Sequence, residues 1–284
     1  MLAGLLPDFQ VCAYSYIRLY YGYYHLAAGS IKGLFRISKF MKIITVGGRD
    51  FTMTDDYKKY TRDDLISLYW RSHPRFNYIK NVKKDSTFFD IGAHEGELSV
   101  WKSWGSPERS DIKMHGVDLA VGTYSANYES FNAFDLDKEE FPYEDNFFDA
   151  MFSTHVVEHL KKTEFLIDNV YKKLKTGGTI YVEVPSKVTI ETPKRQDFID
   201  AGFNSSTMNF YDDHTHIAPY DAVDLGGLFE KNNRFKLLQS GIIMNDFLSD
   251  LLISYGYENG DAEITTYGLW LTLRWSHYII AQKI

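Results

Sequence analysis

The sequence predicts an α/β fold in which a mostly parallel sheet is covered by helices on both faces. Short apolar runs alternate with helical segments along most of the 284 residues, a rhythm typical of parallel sheets. At residues 86–98 a buried strand passes through Gly92 and Gly96 into a helical run. The spacing is D-x-G-x-x-x-G and not the G-x-G-x-x-G of dinucleotide folds. Glycines there let the backbone approach a ligand beside free helix N–H groups, so the turn predicts a nucleotide-cofactor cradle.

Composition sets limits on the function. The formal net charge is −7, so no overall field draws the chain to nucleic acid or anionic lipid. Cys12 is the single cysteine, which excludes a disulfide framework or a thiolate zinc cluster within one chain. Both observations favour a cytoplasmic protein that acts on a small molecule and binds no nucleic acid.

Residues 1–60 form an aromatic-rich N-terminal extension. From residue 2 to residue 40, Asp8 is the one acid against four bases, with six tyrosines between them. We expect helices that pack on the core, or an arm over residues 1–40 that contacts a membrane surface or a second copy. The run is too polar for a transmembrane helix and lacks the features of a signal peptide. Met41 is an alternative start, since a strand-like run follows it.

The elements of residues 61–284 follow in order. Thr61 caps a helix that Pro74 ends, and a shorter helix at 76–82 leads into the first strand of the sheet. Later strands are β-branched and aromatic runs, and a helix at 164–174 is stopped by Gly177 and Gly178. The five predicted strands lie at 87–89, 112–117, 131–134, 147–153 and 179–184.

Residues 186–221 interrupt this alternation with proline, asparagine and serine. An insertion after the fifth strand lies at the carboxyl edge of the sheet, where open α/β folds bind ligands, so we expect a lid or acceptor wall. A helix at 221–231, a strand at 235–244, helices at 246–255 and 265–273, and a closing strand at 276–281 follow.

Acidic residues end the first three strands. Asp90 suits a ligand with a cationic amino group, because it follows a buried strand directly. Asp118 lies about twenty residues beyond the glycine turn, where an acid can bind the two hydroxyls of a ribose. Asp135 ends the third strand and is followed by Leu136.

With these residues, the chain resembles the class I S-adenosylmethionine-dependent methyltransferases over about residues 61–284. FDIGAHEG at 89–96 resembles the first motif of that family, although His94 and Glu95 replace the common Cys-Gly. FPYEDNFFD at 141–149 and LKTGG at 174–178 resemble two later motifs. The resemblance implies a Rossmann-like, mostly parallel seven-stranded sheet and S-adenosylmethionine as cofactor. The residues that it implies for the cofactor are Asp90, Gly92, Ala93, His94, Gly96, Asp118, Leu119, Asp135, Leu136 and Thr154.

A histidine cluster follows the fourth strand, where the transferred methyl group is expected. If a helix began there, His155, Glu158 and His159 would lie on one face. His-x-x-Glu-His is also an inverted zinc-peptidase motif, which the surrounding motifs disfavour. The cluster resembles, too, the Glu-x-x-Glu-His of metal-assisted O-methyltransferases. That resemblance implies a divalent metal on His155, Glu158, His159 and His214, whereas capping and orienting the helix is the simpler interpretation.

Methyl transfer to a hydroxyl needs a positioned base, and histidine titrates in the right range. His155 is the first candidate, followed by His159, His214 and His216. The stretch around His214 and His216 resembles methyltransferases of polysaccharide loci. We therefore expect O-methylation of a sugar or another small hydroxyl-bearing acceptor, such as a glycan. A metal-dependent RNA 2′-O-methyltransferase and a non-catalytic S-adenosylmethionine-binding protein are the alternatives.

Overall fold

A computed structural model describes residues 42–284, which contain a seven-stranded sheet. The expectations for residues 1–40 and for Met41 lie outside this range. The strands of the sheet are β3 (Thr87–Ile91), β4 (Lys113–Asp118), β5 (Ser130–Ala133), β6 (Phe148–Thr154), β7 (Leu174–Pro185), β8 (Phe235–Ile242) and β9 (Ser276–Lys283). Their spatial order is β5-β4-β3-β6-β7-β9-β8. The first five pair in parallel, and β9 pairs antiparallel with both β7 and β8. Six strands of this sheet therefore run in one direction, and β9 runs in the opposite one. The predicted fold class is confirmed.

Helices cover both faces of the sheet. They are α1 (Arg62–Ser72), α2 (Pro74–Asn81), α3 (Thr163–Lys173), α4 (Arg195–Asp200), α5 (Ala222–Glu230), α6 (Asp246–Asn259) and α7 (Ala262–Leu273). One face of the sheet packs on α3 and α5 through a core that includes Phe89, Val170 and Phe229. The other face packs on α1, α2, α6 and α7. β3 is buried along almost its whole length, as expected of a central parallel strand with helices on both sides.

A two-stranded hairpin precedes the helices. β1 (Lys42–Val46) and β2 (Arg49–Met53) are joined by Gly47 and Gly48, which both have the positive φ that a two-residue hairpin turn requires. Its apolar side packs on α6, α7 and the segment at 198–208. Residues 42–60 therefore belong to the same compact unit, and the domain boundary predicted at residue 60 does not coincide with an edge of the packing.

Two segments differ in form from the sequence expectation. The run after the glycine turn is a 3₁₀-helix, Glu97–Lys102. The segment between the turn and Gly105 is too short for several α-helical turns. The 186–221 segment contains α4 and two short 3₁₀-helices, and Phe198, Phe203 and Phe210 within it are fully buried. Among residues 42–284, no helix is long and apolar enough to cross a membrane.

Candidate active site

The glycine turn holds the backbone in a tight curve at the carboxyl end of β3. Gly92 (φ +72°) and Gly96 (φ +84°) adopt left-handed conformations that favour glycine. The amides of Gly92 and Ala93 both donate to the carbonyl of Val117 at 2.9 Å, which ties the turn to the end of β4. His94 is also left-handed and leaves its imidazole exposed. The turn is therefore fixed before any ligand binds.

Asp90 lies at the start of this turn and is almost completely buried. Burial raises the pKa of its carboxyl to about 7, although the hydroxyl of Tyr128, which donates to Oδ2 at 2.7 Å, opposes the shift. A carboxylate so poorly hydrated is stabilised by a cation placed against it. Asp90 therefore fits a ligand with an ammonium group.

Asp118 holds the far side of the turn. Its Oδ2 accepts from the backbone N–H of His94 and its Oδ1 from that of Leu119, both at 2.7 Å. Each carboxylate oxygen has a second lone pair, so these bonds leave Asp118 able to accept from ribose hydroxyls. Glu95 adds a further tie, because it accepts from the backbone and hydroxyl of Thr123.

The remaining residues predicted to bind the cofactor lie in different surroundings. Leu119 is 76% exposed, an unusual position for a large apolar side chain, and is free to cover a ligand ring. Asp135 accepts from the amide of Asp137 and pairs with Lys138. Leu136 is buried in the core. Five of the predicted cofactor residues are not among those that line the cavity described next: Gly96, Asp118, Leu119, Asp135 and Leu136.

A cavity of about 550 Å³ opens beside the glycine turn. Its size falls in the usual range for small-molecule sites. One side is the predicted cradle: Asp90, Gly92, Ala93, His94 and Thr154. The other side is aromatic and comes from α1, the 3₁₀-helix after the turn, and α7: Trp70, Trp101, Tyr267 and Trp270. No residue of the 186–221 segment is among its lining, so this segment does not form the wall opposite the glycine turn.

Arg75, Glu183 and His155 form a buried polar group at this cavity. Arg75 donates to both carboxylate oxygens of Glu183, through Nε at 3.1 Å and through Nη2. Nη2 also lies 3.0 Å from Nε2 of His155, and Tyr181 donates to Glu183 at 2.7 Å. Burial alone would raise the pKa of Glu183, but Arg75, a neighbouring histidine and His155 lower it well below its ordinary range. Glu183 is therefore an anion inside the protein.

His155 does not begin a helix. Its φ is +55°, and the helical turn that follows is a 3₁₀-helix from Val157 to His159. The imidazole consequently turns toward Arg75 and Glu183, with Nδ1 3.4 Å from Oε1 of Glu158. Burial opposes its protonation, but Glu158 and Glu183 outweigh burial and raise the pKa of His155. His155 lines the cavity.

The other predicted histidines lie outside this lining. His159 and His216 approach each other, with ring centroids 4.7 Å apart, whereas His214 is exposed in the turn between them. Glu158 joins His159 and His216 in one group. The structure thus brings together Glu158, His159 and His216, and keeps His155 on the cavity side.

Sequence reasoning missed Arg75, Glu183 and the four aromatic residues of the cavity wall. Glu183 carries a recognisable signal, because a charged residue within an apolar strand needs a buried partner. Arg75 lies 108 residues away along the chain, so its pairing with Glu183 had no local signal.

Comparison with known proteins agrees with this geometry. The profile of a family described as "Methyltransferase domain" matches residues 64–239. Phosphoethanolamine N-methyltransferase 2 of Caenorhabditis elegans is 26% identical over 160 residues, which is 50% of this chain and 36% of that protein. The chain thus spans about a third of the length of this relative.

Two solved structures share the fold at low identity. Haemonchus contortus phosphoethanolamine N-methyltransferase 2, in complex with S-adenosyl-L-methionine, superposes with a TM-score of 0.51 at 16% identity, over 80% of this chain and 58% of that one. An S-adenosylmethionine-dependent methyltransferase from Mesorhizobium loti gives a TM-score of 0.50 at 13% identity, over 75% of this chain and 100% of that one.

Proposed function

The chain belongs to the methyltransferase-domain family, and we propose that it methylates a hydroxyl of a small, sugar-like acceptor with S-adenosylmethionine as the methyl donor. The observation that carries this proposal is that one cavity joins the glycine turn to an aromatic wall. One side suits the cofactor and the other suits an acceptor, so both ligands fit one space.

The residues of the turn have separate tasks. Bound S-adenosylmethionine supplies an electrophilic methyl group on a sulfonium. Asp90 binds the ammonium of its amino-acid part, and the turn at Gly92 lets the backbone approach. Asp118 accepts from the ribose hydroxyls while it holds the turn in place. These contacts orient the methyl group for in-line attack, and orientation is the main source of catalysis in this reaction.

The acceptor side combines aromatic faces with polar groups. Trp70 and Trp270 present flat apolar surfaces on which the C–H face of a sugar ring can stack. Arg75 lines the same space, and its Nη1 is not used by Glu183 or His155. Glu263 lies at the cavity too, so a hydroxyl-rich acceptor finds both a donor and an acceptor. By its resemblance to polysaccharide-locus enzymes, the proposed acceptor is a sugar used in surface-glycan assembly.

His155 is the proposed base. It lines the cavity next to Thr154, whereas His159, His214 and His216 do not. As the acceptor oxygen gained the methyl group and S-adenosylhomocysteine left, Nε2 of His155 would take the hydroxyl proton. Glu183 lies 3.2 Å from this nitrogen and would face the imidazolium.

Transfer of a labelled methyl group tests the proposal. The acceptors are methyl glycosides, nucleotide sugars and phosphoethanolamine, and the methylated atom is located by NMR. We expect O-methylation of a sugar, and His155→Gln should lower kcat by about 10²- to 10⁴-fold while S-adenosylhomocysteine binds as before. If His155→Gln retained more than a tenth of kcat, His155 would not be the base. S-adenosylhomocysteine binding without transfer to any acceptor would favour the non-catalytic alternative.

A small amine is the second candidate acceptor. The relative named above is a phosphoethanolamine N-methyltransferase, and aromatic rings such as Trp70 and Tyr267 also attract cations. Methylation of phosphoethanolamine, with none of the sugars, would establish this candidate in place of the first.

A further inference from the structure

A group of potential metal ligands lies behind the active site. Glu158, His159 and His216 each bring one ligating atom to within 4.8 Å of the others. Glu158 and His159 belong to the 3₁₀-helix after β6, and His216 belongs to the segment that begins after β7. The group therefore joins two parts of the chain that lie far apart in the sequence.

Glu158 is the most unusual member of the group. Its side chain is completely buried, and neither carboxylate oxygen has a hydrogen-bond partner among residues 42–284. The nearest ring nitrogen, Nδ1 of His155, lies 3.4 Å from Oε1 and makes no hydrogen bond with it. Apart from this one charge contact, the buried carboxylate has given up its hydration without gaining a hydrogen bond, which is unfavourable. A positively charged ligand would stabilise the Glu158 carboxylate.

Hydrogen bonds fix the tautomer of His159. The hydroxyl of Thr215 donates to Asp213 at 2.6 Å, so its single proton is used there. The same oxygen lies 2.8 Å from Nδ1 of His159 and can only accept from it. His159 is therefore protonated at Nδ1, and its Nε2 keeps a free lone pair.

His216 is arranged in the same way. Its Nδ1 lies 2.6 Å from the backbone carbonyl of Phe210, an acceptor, so this nitrogen carries a proton and donates. Nε2 of His216 is then unprotonated in the neutral ring, and the side chain is only 5% exposed. Two imidazole lone pairs and one carboxylate thus meet without a proton donor among them.

We propose that Glu158, His159 and His216 bind one divalent transition-metal ion, which fixes the segment around His216 to the turn after β6. Two nitrogens and one carboxylate suit zinc, manganese or iron, whereas magnesium prefers oxygen ligands. Ligands at about 2.1 Å from such an ion lie roughly 3–4 Å from one another, so the observed spacing needs only a small contraction. Each imidazole is hydrogen-bonded through its opposite ring nitrogen, one to Thr215 and the other to a backbone carbonyl. Histidines that bind metals usually have such a supporting hydrogen bond.

This set differs from the one that the sequence suggested. His155 turns its ring nitrogens toward Arg75, Glu183 and the edge of Glu158, and lines the acceptor cavity. His214 is exposed. His216 replaces His214 in the ligand set. The turn that Asp213 forms with Thr215 directs His216, and not His214, toward His159.

Metal content measures the site directly. The full-length protein is stripped with a chelator, dialysed against Zn²⁺, Mn²⁺ or Fe²⁺, and analysed by plasma mass spectrometry, with Co²⁺ absorption as a second readout of imidazole ligation. We expect about one equivalent per chain of at least one ion, with metal affinity at least tenfold weaker in His216→Ala and Glu158→Gln. His214→Ala is the matched control and should bind as the wild type does. S-adenosylhomocysteine binding shows that each variant is folded.

Two results would overturn the proposal. One is a wild-type protein that takes up none of these ions under loading. The other is equal loss of metal in His214→Ala and His216→Ala. If the ligand variants do not fold, Thr215→Val tests the site instead. This variant removes the hydrogen bond to Nδ1 of His159 and should weaken metal binding by about 10- to 100-fold. Unchanged affinity in Thr215→Val would also contradict the site.

Discussion

Asp90 should make cofactor binding depend on pH near neutrality. Burial raises the pKa of this carboxyl to about 7, against an opposing hydrogen bond from Tyr128. Below that pH the carboxyl is neutral and does not attract an ammonium group, and above it the carboxylate does. A proton must therefore leave Asp90 when the ligand binds, so affinity falls as the pH is lowered.

The size of the effect follows from the pKa. A group with a pKa of about 7 is about one-tenth ionised at pH 6 and about three-quarters ionised at pH 7.5. The amino group of the ligand itself loses its proton with a pKa of about 8, which weakens binding at higher pH. We expect S-adenosylhomocysteine to bind about fivefold to tenfold more weakly at pH 6 than at pH 7.5, and affinity to fall again above about pH 8.5.

Isothermal titration calorimetry across this pH range measures the change. Two buffers with different ionisation enthalpies would also show the released proton. Asp90→Asn should bind at pH 7.5 about as weakly as the wild type does at low pH, and should lack the step. Asp118→Asn is the control, since it weakens binding but leaves the step in place. Constant wild-type affinity between pH 6 and pH 7.5, or a step that persists in Asp90→Asn, would refute the reasoning.

Two further variants test the polar group and the turn. Glu183→Gln leaves Arg75 buried without its counter-charge, so we expect about 3–5 kcal/mol lower stability in urea unfolding, whereas Glu263→Gln, in an exposed ion pair, should cost less than about 1 kcal/mol. If both variants lost the same free energy of unfolding, the buried Glu183 ion pair would stabilise the fold no more than the exposed one does. Gly92→Ala should lower stability by about 1–3 kcal/mol and abolish S-adenosylhomocysteine binding in calorimetry, because a Cβ there lies 2.1 Å from a neighbouring side chain at positive φ. Gly177→Ala, at similar φ in open space, should leave binding intact, and the reverse order would contradict the cradle.

The fold could be predicted from the sequence because its information is local. Strands such as residues 87–89 are apolar runs bounded by glycine or acid, and the helices carry their own caps, as Thr61 does with its capping box. The sequence predicts that residues 42–53 belong to an extension, since nothing local shows that Phe51 packs on Phe198 and Phe203. Packing across such separations is decided by tertiary structure alone.

The site was only partly predictable for the same reason. The cradle residues Asp90 and Gly92 are close in sequence, so a short motif identifies them. The choice between His214 and His216 depends on a turn of two or three residues, and the left-handed conformation of His155 breaks the helical spacing on which the first ligand set relied. Non-glycine residues seldom adopt the left-handed conformation, so the sequence pattern around His155 does not predict it.

The 186–221 segment is better understood as a fixed buttress than as a lid. Phe198, Phe203 and Phe210 are fully buried, and the first two pack edge-on against Phe51 of the hairpin. Exposing three such side chains costs about 5–9 kcal/mol, so an open form would be at least about a thousandfold rarer than the closed one. None of the segment's residues line the cavity, so such an opening would not uncover it. The backbone amide of Ile217 donates to the carbonyl of Glu158 at 2.8 Å, so this buttress holds the neighbouring His216 beside the turn after β6.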